Sequence, residues 1–172
     1  MPQILIPIVV PAIAGGLCYL VPRRVKGVRE VLALAGMAWA LIASIQLFSQ
    51  WPLAFTRPWV TLGSLDVQFD LMLNHFSAFV LVFATLIGLG VTLYSMSWLS
   101  EKFDGRRYYA FMLWAVAATC GAVLSNSLLV LLIFWEVLTV ILFLFVNLGK
   151  DKDEAAAGAS KSFVMLGFSD AA

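Results

Sequence analysis

Between Ser127 and Leu148 the chain reads SLLVLLIFWEVLTVILFLFVNL, and Glu136 is the only ionisable side chain in it. A charge in the middle of a bilayer-length apolar run is costly, so such residues face a bundle interior or a water-filled cavity and mark ion paths. Glu136 lies about 13 Å from Ser127 at the usual helical rise, near the middle of a hydrocarbon layer about 30 Å thick. Leu129, Leu132, Ile133, Thr139, Val140 and Phe143 share its helical face, which leaves Thr139 as the one polar neighbour this helix offers. A partner must come from another helix. Burial favours the neutral form of a carboxyl group and a nearby cation favours the charged form. A glutamate whose cationic partner comes and goes can therefore load and release a proton. The competing reading is a structural glutamate held permanently by a neighbour.

Asp170 is the second acid in an apolar run, about 22 Å along a helix starting at Ala155, where it either serves the same path or caps a helix. Lys161 lies about 9 Å into that run and either snorkels to the interface or leans inward as a relay amine. His75, the lone histidine, sits where a long loop meets the third apolar run. It is an interface residue or, given an imidazole's titration near neutral pH, a proton shuttle. Cys18 and Cys120 stand in separate apolar runs without the paired spacing of a zinc or iron–sulfur site, and read as packing residues. No HExxH, GxGxxG, P-loop or nucleophile elbow occurs, so no bond chemistry, cofactor or metal is expected of this chain.

These residues need helices to carry them. The chain is 62% hydrophobic and 12% charged, with a mean hydropathy of +0.96, the composition of an integral membrane protein. A net charge of +1 without a basic, aromatic-laced tract excludes nucleic acid as a partner. The fold class is an all-α polytopic transmembrane bundle forming a single domain over 1–172. Its spans fall at 3–21, 31–49, 76–99, 108–124 and 127–148, and a sixth run, 155–172, reads as an incomplete helix. That ending suggests a truncated, split or partly represented protein.

The start, MPQILIPIVVPAIAGGLCYLVPRR, places its positive charges after the apolar run, as a retained first span does and a signal peptide does not. Arg23, Arg24, Lys26, Arg29, Lys102, Arg106, Arg107, Lys150, Lys152 and Lys161 fall on one side if the N-terminus lies outside, leaving Arg57 alone among 11 basic residues. The expected setting is the cell's inner, cytoplasmic membrane. The outer loop 50–75 alternates at Val60, Leu62, Leu65, Val67 and Phe69 with a break at Gly63, which predicts a short extended or hairpin element. Trp51 and Trp59 suit the headgroup level. Pro7 and Pro11 are tolerated in a membrane helix, and Gly15, Gly16, Gly88 and Gly90 read as close-packing positions.

Two stretches resemble a known family. HFSAFVLVFATLIGLGVTLYSMSWL (75–99), with a serine near its start and Tyr94-Ser95 near its end, is similar to the third span of the antiporter-like subunits of respiratory complex I, membrane-bound hydrogenases and multisubunit cation/proton antiporters. SNSLLVLLIFWEVLTVILFLFV (125–146), with its Ser/Asn-rich turn and Trp135-Glu136 pair, resembles their fifth. Arg106-Arg107-Tyr108-Tyr109 and Lys161-Ser162-Phe163 fit the same pattern. Asn74 departs from it, since many relatives carry aspartate before the serine corresponding to Ser77.

The resemblance implies that only the N-terminal portion of a fourteen-helix core with inverted repeats is represented here. It further implies that Glu136 pairs with a lysine two spans downstream, on a helix this chain does not contain. The resulting expectation is a proton- or sodium-translocating subunit of a redox-driven or antiport complex. Glu136, Lys161 and Asp170 would lie on the path, with Thr139, Trp135 and His75 in support. Its partners would be the lipid bilayer and other membrane subunits, one of which supplies the lysine helix. The rival reading is a shortened scaffold that packs against an ion-conducting neighbour and moves nothing. A subunit lining a quinone site is a third class, disfavoured because no His/Tyr/Asp cluster occurs at one membrane level.

Overall fold

The computed structural model describes residues 2–22, 27–62, 65–99, 104–149 and 152–171. A short 3-10 turn, Gln3–Leu5, leads into α1 (Ile6–Leu20), followed by α2 (Val28–Phe48), β1 (Leu53–Leu62), β2 (Leu65–Leu73), α3 (His75–Trp98), α4 (Gly105–Leu124), α5 (Leu128–Val146) and α6 (Lys152–Ala171). The first five helices, α1 with its leading turn, are long and apolar enough to cross a bilayer. They present Leu20, Val31, Trp39, Ile87 and Leu128 outward, as a multi-pass membrane protein must. The helical bundle with one small hairpin is the architecture the apolar runs and the alternation before His75 predict.

Helices α1 to α4 form the packed part: α1 lies on α2 and α4, and α3 on the same two. Lipid offers no hydrophobic incentive for helices to associate, so close backbone approach through small residues takes over. Ala14, Ala33, Ala40, Ala43, Ala78, Ala110 and Ala117 are all buried in these contacts. The tightest joins α1 to α4, where the Trp114 indole Nε1 donates to the Ala12 carbonyl at 3.1 Å. A Cβ at Gly15 would come within 2.6 Å of that indole. Of the other glycines expected at contacts, Gly88 lies against Met37 and Val116, while Gly16 and Gly90 face open space. The buried hydroxyls of Ser44, Thr85 and Thr92 donate within their own helices, to the carbonyls of Ala40, Leu81 and Gly88 at 2.8, 2.9 and 2.8 Å.

Three helices begin three residues earlier than their apolar runs. α2 starts at Val28 rather than residue 31, α4 at Gly105 rather than 108, and α6 at Lys152 rather than 155. Their opening turns carry the charged Arg29, Glu30, Arg106, Arg107 and Glu154, of which Arg107 and Glu154 are exposed and Arg106 pairs with Asp104 at 3.5 Å. Hydropathy marks where the hydrocarbon begins, not where the helix does. Gly27, with φ of 89°, supplies the left-handed residue just before α2.

The segment between α2 and α3 is an antiparallel hairpin. Leu53 pairs with Leu73 and Leu62 with Leu65, with a register irregularity between Pro58 and Val60. Alternation sends Leu71 and Leu73 into the core, while Leu53, Phe55 and Phe69 pack partly buried beside them. Trp51 and Trp59 remain exposed. The chain then enters α3 through a reciprocal cap. Ser77 N donates to Asn74 Oδ1 and Asn74 N donates to Ser77 Oγ, each at 2.8 Å. The Asn74 departure thus has a definite role: its amide oxygen does the capping work of a carboxylate. The expected residues Arg23, Arg24, Lys26, Gly63, Lys102 and Lys150 lie outside the described residues.

Candidate functional site

α5 is built so that one side grips α4 and the other does not. Val130, Phe134, Leu138, Ile141 and Phe145 recur at three- and four-residue intervals and pack into the two apolar clusters shared with α4. Phe134 settles onto Gly121 of α4, where any Cβ would land on its ring. Glu136 stands two residues from Phe134, hence about 200° around the helix, and is exposed. It is the ninth of the 19 residues of α5, so its backbone is close to the helix midpoint. Leu129, Leu132 and Val140 beside it are exposed too. Trp135 is half-exposed, and its carbonyl accepts from the buried Thr139 hydroxyl at 3.3 Å. The Thr139 proton is therefore directed at its own helix.

α6 returns antiparallel along α5. Gly149 meets Ala155, Val146 meets Gly158, and the Phe143 and Phe163 rings lie 5.5 Å apart. Followed back along α5 at this pace, the level of Glu136 falls at residues 168–170 of α6. Asp170 therefore shares the depth of Glu136. Its position on α6 follows Leu166 by four residues and Ala159 by eleven, and Ala159 is fully buried. Both intervals return to the same side of the helix, and the Asp170 side chain itself lies outside the described residues. Lys161 lies two residues from Ala159, on the opposite side, and is exposed. The geometry thus brings Glu136 and Asp170 to one level and sets Lys161 apart from them.

His75 is elsewhere. It opens α3 at the hairpin end, exposed, with its ring centroid 3.4 Å from that of Trp51. Among the described residues, no group of three His, Cys, Asp or Glu side chains is placed to hold a metal ion.

The structure adds residues that the spacing did not suggest. Asp70 of β2 accepts from the Thr56 hydroxyl at 2.8 Å through one carboxylate oxygen and from Asn126 Nδ2 at 2.6 Å through the other. Its carbonyl accepts from Asn126 N at 3.0 Å, and Leu71 bridges to Ser125. The Ser/Asn-rich turn before α5 was the only trace of this in the sequence, since nothing there names a partner 56 residues away.

The sequence and the fold of this chain are similar to those of known proteins. Residues 59–109 match the family described as NADH-ubiquinone oxidoreductase (complex I), chain 5 N-terminus. A Na(+)/H(+) antiporter subunit from Alkalihalophilus pseudofirmus is 32% identical over 114 residues, which cover 66% of this chain and 14% of that protein. Among solved structures, a chain of the membrane-bound sulfane sulfur reductase, an archaeal respiratory membrane complex, superposes with a TM-score of 0.70 at 24% identity, covering 96% of this chain and 27% of that one. A chain of respiratory complex I from Thermus thermophilus gives 0.68 at 19% identity, over 84% and 29%. The chain belongs to the antiporter-like membrane-subunit family, whose N-terminal portion it matches. It spans about a seventh of the Alkalihalophilus relative and under a third of either solved chain.

Proposed function

We propose that this chain is a membrane subunit of a multisubunit cation/proton antiporter or redox-driven complex, and that Glu136 is a titrating carboxylate on its proton or sodium path. One observation carries the reading: α5 buries its α4-facing side and leaves Glu136, near mid-helix, on the uncovered one. An exposed carboxylate at that depth demands a partner outside α1 to α5, because its desolvation against lipid alone costs several kcal/mol. Asp170, level with it on α6, is the second acid of the path. A lysine helix from a neighbouring subunit or from further chain supplies the cation.

Coupling then works by moving that cation relative to Glu136, which changes the affinity of the carboxylate for a proton without making a bond to carbon. In this reading the N-terminus and the hairpin lie outside the cytoplasmic membrane, which the clustering of basic residues in the other loops supports. Lys161, facing away from α5, snorkels at the cytoplasmic interface. His75 stays with the outer surface, and Trp135 and Thr139 shape the helix around the acid.

The test is Glu136→Gln in the assembled complex reconstituted into vesicles. Ion translocation is expected to fall more than tenfold while assembly is unchanged. Undiminished translocation would sink the proposal and leave the scaffold reading.

A further inference from the structure

We infer that Asp70 is a positioning residue for Glu136, acting through the outer hairpin. This rests on the proposed role of Glu136, and the geometry behind it does not. Two separate contacts tie the hairpin to α5. At the helix mouth, both carboxylate oxygens of Asp70 are engaged, by Thr56 across the hairpin and by the Asn126 side chain in the α4–α5 connection. The backbone pairing of Asn126 N with the Asp70 carbonyl sets the height of that connection. Further down, the ring of Phe69, the residue before Asp70, meets the ring of Phe134 with centroids 6.3 Å apart at 61°.

Phe134 is the residue that fixes which way Glu136 points. It is held between Phe69 of the hairpin and Gly121 of α4, and Glu136 lies on the far side of the helix from it. Turning α5 by one residue, about 100°, would carry the carboxylate toward α4. Sliding α5 by one residue would move it about 1.5 Å in depth. The Asp70–Asn126 clamp opposes the slide, and the Phe69–Phe134–Gly121 stack opposes the turn. α5 needs such outside support because it is the least buried of the five spanning helices.

The experiment uses the complete complex with Asp70→Ala and Asp70→Asn. A spin label on a cysteine at Leu132, on the exposed side of α5, reports membrane depth through its collision rates with oxygen and with a water-soluble nickel chelate. The background replaces Cys18 and Cys120. In Asp70→Ala the label is expected to shift by at least one residue's rise. The pH midpoint of translocation is expected to move by at least half a unit while the assembled amount stays within twofold. Asp70→Asn, which keeps an oxygen for one partner and a donor for the Thr56 hydroxyl, is expected to restore both.

Unchanged depth and midpoint in Asp70→Ala overturn the inference, as does reduced assembly with neither reading moved. If Asp70→Ala does not assemble, Asn126→Ala removes the same clamp from the other side, and unchanged readings there overturn it equally. Should Glu136→Gln translocate normally, the proposed function fails while the label depth still decides whether Asp70 sets the height of α5.

Discussion

Helices α4 and α5 are neighbours in the chain and in space, yet their relation to their surroundings is inverted. α4 is the less apolar, with Arg106, Arg107 and two tyrosines in its first turn, and 56% of its spanning stretch is buried. α5 is the most apolar of the five, and only 17% of its stretch is buried. In water that ranking would be absurd. In a bilayer, lipid and protein interior are equally apolar, so hydropathy reports that a helix is in the membrane and says little about its neighbours. What reports neighbours is size and polarity: glycine, alanine and hydroxyl residues on α4, and a lone carboxylate on α5 that lipid does not satisfy.

The contrast can be broken most decisively at Glu136. Its replacement by Gln is expected to stop translocation, whereas Leu129→Gln, another exposed position on α5, should leave it within twofold, as measured by ion flux in vesicles. Asp170→Asn is expected to produce a partial loss, about three- to tenfold, and Lys161→Ala less than twofold. Equal effects at 161 and 170 would contradict the register drawn between α5 and α6.

The α4 side of the comparison is sharpened by Gly121→Ala, which drives a methyl into the Phe134 ring. Overpacking of this kind costs about 1–3 kcal/mol and should lower the thermal unfolding midpoint in detergent, while Gly90→Ala, with open space around it, should not. Smallest is Asn74→Ala, which removes half of the reciprocal cap of α3 for about 1 kcal/mol, whereas Asn74→Asp should hold stability near neutral pH. Hydrogen exchange in the first turn of α3 reads that difference.

Much of the fold was legible because a bilayer imposes a length. Runs of apolar residues gave five spans and the alternation before His75 gave the hairpin. The helix starts were less legible, since Arg29, Glu30, Arg106 and Arg107 continue the helix beyond the hydrocarbon and hydropathy cannot see that. Glu136 announced itself by its cost. The level shared by Asp170 and Glu136 was not readable, because it depends on how tightly α6 turns back after Gly149, a matter of tertiary packing at Ala155 and Gly158. Asp70 gave no signal beyond the Ser/Asn-rich turn that meets it: an acid in a hairpin is ordinary until Asn126, 56 residues on, is found against it.

The cap at the head of α3 has one more consequence. A carboxylate at residue 74 would hold the Ser77 amide most strongly while ionised, and that bond would weaken near its ordinary titration, at about pH 4. The carboxamide of Asn74 has no proton to gain in that range. The cap that turns the chain from hairpin into α3 is thereby uncoupled from the acidity around it, whereas the neighbouring clamp at Asp70 is made by a carboxylate.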